Sequence, residues 1–208
     1  MSKIFDWTNE IKKEELQETI NVLKNDGIVV FPTETVFGIG CNAKSLKAVK
    51  KLYEAKKRPQ NKPFSILVSE KNEIEKIAKI SNLVEKKIIE NFMPGPLTIV
   101  LEKNEAIDKL VTANKSTVGV RIPDYKIANT ILKEAKLPLA TSSANISGEN
   151  IESDFNKIVK TFGDSVDIFI KGETKKDMQA STIVQAIENK VVILREGKIS
   201  KESINVFL

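Results

Sequence analysis

Helix-like and strand-like patterns alternate along this chain with short connections, and this alternation limits the possible folds more than any other feature. The predicted helices run from a cap at Thr8 or Asn9 to Gly27, from Ser45 onward, from Leu83 to Phe92, from Asp124 to Ala135, and from Ser153 to Gly163. The predicted strands are 28–31, 64–68, 97–101, 118–122, 137–140, 167–170, 181–186 and 191–194. Such alternation predicts a sheet whose faces are covered by helices.

The spacing of the last strands refines this fold class. Strands 181–186 and 191–194 are too close in sequence for a helical crossover, so we expect them to pair antiparallel. No linker rich in Pro, Gly or Ser and no repeat interrupts the pattern. The sequence therefore predicts an α/β fold of the mixed, α+β type, with one twisted mixed sheet flanked by helices in a single domain over residues 1–208.

The residue types that are missing exclude several kinds of chemistry. The 208 residues include no histidine and only one cysteine, Cys41. A His-ligated metal, a Ser-His or Cys-His nucleophile and an internal disulfide are all excluded. Any catalysis must use Lys, Arg, carboxylates, hydroxyls, backbone dipoles or a metal held by oxygen.

Composition and charge suggest a cytoplasmic protein without a membrane segment. No apolar run approaches the roughly 20 residues of a membrane span, and the N-terminus lacks the apolar centre of a signal peptide. The net charge of +5 permits a polyanionic partner without requiring one. Aromatic residues make up 6% of the chain, which disfavours a base-stacking platform.

Two distant segments carry groups that bind a nucleotide triphosphate. Lys56, Lys57 and Arg58 end a predicted helix, and Lys62 follows in the same loop. The segment 141–148 offers hydroxyls and an amide directly after a predicted strand. Each also has an ordinary interpretation, because cations are favourable at a helix C-terminus and hydroxyl side chains stabilise turns.

Two arginines lie at strand positions where an unpaired charge is costly. Arg121 interrupts an apolar strand, and Arg195 ends another. A guanidinium in such a place needs a carboxylate or phosphate partner. For Arg121 this leaves two alternatives, a bound anion or an internal salt bridge.

Taken together, these segments resemble the YrdC/TsaC family, the threonylcarbamoyl-AMP synthases. The resemblance runs from about Gly27 to Gly197 and rests on 32–38, Lys56-x-Arg58, 94–98, 120–123, Ser143-x-Asn145 with Ser147 and Gly148, 181–183, and 194–197. It implies a twisted mixed sheet with helices and a broad basic concave face. It also implies an enzyme that converts L-threonine, bicarbonate and ATP to threonylcarbamoyl-AMP and pyrophosphate, for the threonylcarbamoyladenosine modification of tRNA.

The resemblance assigns roles to matching positions. Threonine would be held by Thr35, Arg121, Thr141 and Ser181, and ATP by Arg58, Lys62, Thr117, Ser143 and Arg195. The implied catalytic group is Lys56, Arg58, Ser143 and Asn145. No protein metal site is implied, and Mg²⁺ would arrive on the triphosphate. The implied partners are tRNA or tRNA-modification proteins, with no membrane. Phe37 departs from the family, where a Tyr is common.

Two other functions use the same features. A non-catalytic binder of structured RNA would use the basic face, although +5 is a modest charge and a strand-embedded Arg121 is not an obvious phosphate contact. Carbamoyl-adenylate chemistry of the hydrogenase-maturation type occurs in much longer chains with zinc fingers. This chain has neither that length nor those cysteines.

Overall fold

The computed structural model describes residues 2–173 and 178–206, and within these residues the chain forms eleven strands and six α-helices. The strands are β1 (Lys3–Asp6), β2 (Val29–Phe31), β3 (Gly38–Asn42), β4 (Ser65–Leu67), β5 (Ala78–Lys79), β6 (Leu97–Lys103), β7 (Thr117–Arg121), β8 (Leu139–Ser143), β9 (Ile168–Lys171), β10 (Thr182–Ile187) and β11 (Lys190–Arg195). The helices are α1 (Lys13–Lys24), α2 (Leu46–Ala55), α3 (Leu83–Phe92), α4 (Lys126–Ala135), α5 (Phe155–Phe162) and α6 (Lys201–Asn205). The predicted single domain over residues 1–208 includes residues outside the described ranges and stays a prediction.

All strands belong to one mixed sheet. Their order is β1-β9-β2-β3-β8-β4-β7-β6-β10-β11, with the short β5 paired to the far end of β6. The β10–β11 hairpin is antiparallel, as the spacing predicts, whereas β4–β7 and β6–β10 pair parallel. The predicted mixed sheet and fold class are confirmed.

Alternation along the strands separates two apolar layers. In β2, Val30 joins the core with α2, α3 and α5, whereas Val29 and Phe31 join the core with α1 and α4. The same split recurs in β9, where Phe169 and Ile168 point to opposite faces. Helices therefore cover both faces of this part of the sheet.

The α1–α4 layer does not extend across the sheet to β6, β7 and β10. On these strands Ile99, Val120 and Val184 are buried against the α2, α3 and α5 side. Residues of the opposite face, including Thr98, Gly119 and Ile183, line an open cavity instead. The uncovered stretch of sheet is where a ligand can approach the strands.

Several predicted boundaries are confirmed. Ser45 caps α2 by accepting a hydrogen bond from the backbone N–H of Ala48 at 3.1 Å. Helix α3 has the predicted bounds, and Gly163 ends α5 with a φ of 43°, which glycine adopts without strain.

Other boundaries were predicted wrongly. Helix α1 begins at Lys13, well after Thr8 and Asn9. The caps of α4 and α5 are Tyr125 and Asp154, one residue after the predicted Asp124 and Ser153. Asp154 is the better cap in the structure because its carboxylate accepts two backbone N–H groups of the first turn.

Candidate functional site

A cavity of about 460 Å³ opens on the uncovered face of the sheet. Most predicted site residues line it: Thr35, Arg58, Lys62, Thr117, Arg121, Thr141, Ser143, Ser181 and Arg195. Lys56 and Asn145 are not among its lining residues. The structure thus brings together residues that are up to 160 positions apart in sequence (Thr35 and Arg195).

Strand geometry explains how this cavity collects its polar groups. Thr117, Gly119 and Arg121 are alternate residues of β7 and therefore share one face, while Val118 and Val120 are buried in the core behind them. Thr141 and Ser143 are likewise alternate residues of β8 and share the face that lines the cavity. The predicted strand ended at Ala140, but β8 continues through Ser143 because it pairs antiparallel with β3.

The floor of the cavity is made by small side chains. Ser65 is the strand neighbour of both Gly119 and Thr141. A Cβ placed on Gly119 would lie 3.1 Å from Ser65 Oγ and 3.2 Å from Thr98 Cγ2. Any larger residue at position 119 would therefore displace these two side chains or project into the cavity.

Arg58 is fixed at one wall of the cavity by backbone acceptors. Its Nε donates to the carbonyl of Lys62 at 3.1 Å and its Nη2 to the carbonyl of Pro63 at 2.7 Å. The guanidinium lies 4.9 Å from the ring centroid of Phe64. Burial lowers the pKa of Arg58 from its usual value, and arginine nevertheless remains charged. The loop 58–63 thereby holds a cation in a set direction.

Arg195 is a second lining residue that is held by hydrogen bonds within the protein. Its Nη2 donates to the carbonyl of Ser181 at 2.7 Å and lies 3.1 Å from Ser181 Oγ, which is 2.9 Å from Thr98 Oγ1. Burial, and then the nearby charge of Arg121, lower the pKa of Arg195. Two guanidinium groups therefore share this side of the cavity, which favours an anion there.

Arg121 has a partner inside the protein. Its Nε donates to the carbonyl of Gly95 at 3.1 Å, and its Nη2 lies 2.7 Å from Glu34 Oε1. Both side chains are nearly buried, with 8% and 11% of their surface exposed. Of the two alternatives that the sequence leaves open, the internal ion pair is present in the structure. Arg121 also lines the cavity, so binding an anion there stays a prediction.

Lys56 does not face the cavity. Its side chain is buried, and its Nζ donates to the backbone carbonyls of Ser143 at 2.7 Å and Asn145 at 2.5 Å. Burial, and then the charge of Arg58, lower its pKa from 10.5 to about 7. The ammonium is directed at backbone carbonyls where β8 ends and not at the cavity, and the implied catalytic role of Lys56 stays a prediction.

Asn145 also acts within this loop. Its Nδ2 donates to the carbonyls of Ile146 at 2.8 Å and Glu149 at 2.9 Å, and its Oδ1 accepts from Ser143 Oγ. The side chain therefore stabilises the turn that follows β8. Ser143 is the member of the Ser143-x-Asn145 pair that reaches the cavity wall.

The turn after β2 is held by its own hydroxyl groups. Thr33 Oγ1 donates to the carbonyl of Val36 at 2.7 Å and lies 2.9 Å from Thr35 Oγ1. Both threonines are buried, and both line the cavity. Thr35 is thus presented at the cavity wall by a rigid turn.

Sequence reasoning gave no role to four further lining residues, Ser65, Thr98, Lys115 and Gln185, although Thr98 lies in the matching segment 94–98. Alternation on a strand could have found Thr98, because Leu97 and Ile99 on either side of it are apolar. For Lys115 the sequence carries no such signal, since it lies in the loop before β7.

The structure bears on metals and membranes as well. In residues 2–173 and 178–206, no three Asp, Glu or Cys side chains are grouped so that they could hold a metal ion. None of the helices in these residues is long and apolar enough to cross a membrane.

Comparisons with known proteins agree with this architecture. The profile of the Sua5/YciO/YrdC family, described as "Telomere recombination", matches residues 21–197. A Methanocaldococcus jannaschii protein, provisionally named as a threonylcarbamoyl-AMP synthase, is 41% identical over 95% of this chain and 92% of its own length. The threonylcarbamoyl-AMP synthase of Bacillus subtilis is 32% identical over 98% of this chain.

A solved structure gives the same result for the fold. Pyrococcus abyssi Sua5, crystallised in complex with L-threonine, superposes with a TM-score of 0.95 at 31% identity over 100% of this chain. This chain spans 60% of the B. subtilis protein and 61% of the P. abyssi chain. The profile match over most of the sequence and the 41% identity to a relative of similar length show that the chain belongs to the Sua5/YciO/YrdC family.

Proposed function

We propose that this chain is a threonylcarbamoyl-AMP synthase, a nucleotidyltransferase that condenses L-threonine, bicarbonate and ATP. The observation that carries the proposal is the cavity on which Arg58, Arg121 and Arg195 converge beside the hydroxyls of β7 and β8. The names of the M. jannaschii and B. subtilis relatives and the threonine complex of P. abyssi Sua5 support it. The proposal treats residues 1–208 as one domain.

The proposed reaction has two steps. The amine of threonine attacks the carbon of bicarbonate and water leaves, which gives a carbamate. A carbamate oxygen then attacks the α-phosphorus of ATP, and pyrophosphate leaves. Transfers of this kind depend on positioning and charge neutralisation more than on a strong base. A site without histidine is suited to them.

The residues divide the work between the two substrates. Threonine would be held by four buried residues of the cavity lining, Thr35, Arg121, Thr141 and Ser181. Arg58, Lys62, Thr117, Ser143 and Arg195 would hold ATP, with the two arginines offsetting the charge that develops on the leaving group. Binding in the cavity would limit the contact of the carbamate with water and so slow its loss.

Lys56 and Asn145 have a positioning role in this proposal. Both contact Ser143 at the end of β8, through the carbonyl and amide contacts described above. Mg²⁺ fits as an ion carried by the triphosphate, because the described residues of the cavity walls offer cations and hydroxyls rather than grouped carboxylates. When bound, it would supply further charge neutralisation.

The proposed product would supply the threonylcarbamoyl group for tRNA modification. tRNA or the proteins that modify it are therefore the expected partners, and the cytoplasm is the compartment that the proposal implies. The alternative of a non-catalytic RNA binder is not favoured, since the named relatives are synthases.

Pyrophosphate release is the experiment that tests the proposal. Purified protein should release pyrophosphate from ATP only when both threonine and bicarbonate are present. Omission of each substrate in turn is the control. Equal release without threonine would overturn the proposed function.

A further inference from the structure

Glu34 is a nearly buried carboxylate to which none of the roles above assigns a task. It lies in the turn between β2 and β3, next to Thr33 and Thr35, and its Oε1 is 2.7 Å from Arg121 Nη2. The carboxylate itself is not among the groups that line the cavity, whereas Arg121 is. Glu34 therefore contacts the guanidinium from behind the cavity wall.

The hydrogen bonding of Glu34 is incomplete. Neither of its carboxylate oxygens accepts a hydrogen bond from the described residues, and the contact with Arg121 Nη2 is an ion pair whose N–H is not aligned for one. A buried ion pair with so little additional hydrogen bonding contributes little to stability, because desolvation offsets the attraction. A role in the site explains its presence better than a role in folding.

The backbone around Glu34 is held firmly. Thr33 Oγ1 closes the turn through the Val36 carbonyl at 2.7 Å, and Lys198 Nζ donates to the Glu34 carbonyl at 3.0 Å. The carboxylate thus projects toward Arg121 from a fixed support. A fixed carboxylate can set the direction of a guanidinium.

Arg121 is restrained on two of its three nitrogens. Nε is bound to the carbonyl of Gly95, and Nη2 is paired with Glu34. In the part of the chain that the structure describes, Nη1 makes no hydrogen bond, so it is the arm left for a ligand of the cavity. With Nε and Nη2 held, the plane of the guanidinium is set before any ligand arrives.

We propose that Glu34 is a positioning residue that orients Arg121 to read the α-carboxylate of an amino-acid substrate. The inference rests on the proposed function, since it takes threonine as that substrate. Glu34 does not contact the substrate. It acts by holding the guanidinium in the orientation that a carboxylate can engage, and its charge offsets part of the repulsion between Arg121 and Arg195.

Calorimetric titration of Glu34→Gln tests this role. The variant keeps the shape of the side chain and removes its charge. We expect its affinity for L-threonine to fall about tenfold. This is the smaller of the losses seen when a residue that supports a metal-binding side chain is replaced, which is a comparable positioning role. Affinity for a non-hydrolysable ATP analogue should stay within about twofold. Binding of L-threoninamide, which lacks the carboxylate charge, should be equally weak in both proteins.

A double-mutant cycle shows whether Glu34 acts through Arg121. In an Arg121→Lys background, Glu34→Gln should cause no further loss of threonine affinity, because the guanidinium that Glu34 orients is absent. Glu102→Gln is the matched control, since it breaks a solvent-exposed pair with Lys79, also at 2.7 Å. It should change neither affinity.

The outcomes separate the inference from the proposed function. Failure of the wild-type protein to bind threonine would count against the proposed function. Threonine binding that is unchanged or tighter in Glu34→Gln would overturn the inference alone, since it would make the pair structural or Glu34 a competitor for Arg121. If Glu34→Gln does not fold, Glu34→Asp replaces it. The shorter carboxylate should weaken threonine binding, and unchanged affinity would again overturn the inference.

Discussion

Replacement of Lys56 by methionine should change how the stability of this protein depends on pH. Lys56 is 1% exposed, and its Nζ contacts two backbone carbonyls. Burial disfavours the ammonium, whereas carbonyl acceptors favour it, so two physical effects oppose each other at one atom. The pKa of about 7 means that burial dominates.

The sign and size of the effect follow from this pKa. In the unfolded chain the lysine pKa is near 10.5, so below pH 7 the folded and unfolded states both hold the proton. Between pH 7 and 10.5 only the unfolded state holds it, and the free energy of unfolding therefore rises with pH. From pH 7 to pH 9 the two titration curves give the wild type a gain of about 2 kcal/mol that Lys56→Met lacks.

Urea unfolding at pH 7, 8 and 9 measures this difference. We expect the wild type to gain stability over Lys56→Met as pH rises, because methionine fills a similar volume and cannot titrate. Lys50→Met, which removes an exposed lysine of α2, controls for the loss of one positive charge. A difference between wild type and Lys56→Met that stays flat from pH 7 to pH 9 would refute the reasoning. It would show that the two carbonyls keep the ammonium charged.

Two further predictions concern the cavity. Arg58→Ala and Arg195→Ala should each lower turnover at saturating threonine by about 100-fold or more. The melting temperatures of both variants should stay near that of the wild type. Near-normal turnover in both would contradict the assignment of ATP contacts. Gly119→Val should block substrate binding because its side chain would crowd Ser65 and Thr98. It should cost about 1–3 kcal/mol of stability, and unchanged threonine and ATP titrations would show that the floor of the cavity is not used.

The sequence predicts the fold well where apolar runs are long. Strands β6 and β7 and helix α3 combine a clear period with apolar residues and lie where expected.

Strand β3 was missed because Gly38 and Gly40 give it a composition typical of a loop. Glycine is needed at position 40 because a Cβ there would lie 2.6 Å from Thr141 Cγ2. Pairing with β8, which no local pattern encodes, makes this segment a strand.

The sequence predicts which residues belong to the candidate site but not which way their side chains point. The matching motifs predict Arg58, Arg121 and Arg195 as site residues, and all three line the cavity. Whether a side chain faces the cavity or the protein depends on packing between distant elements. Lys56 contacts the carbonyl of Ser143, and Glu34 contacts Arg121. In both cases the partner is 87 residues away in sequence. Such contacts have no signature in a single sequence.

The identity of the product tests the central claim most directly. The protein should be incubated with ATP, L-threonine and ¹³C-bicarbonate, and the nucleotide products analysed by mass spectrometry. We predict an adduct with the mass of threonylcarbamoyl-AMP that carries the ¹³C label, because the carbamate carbon comes from bicarbonate. Threonyl-AMP without the extra carbon, or AMP and pyrophosphate without any threonine-containing adduct, would contradict the account.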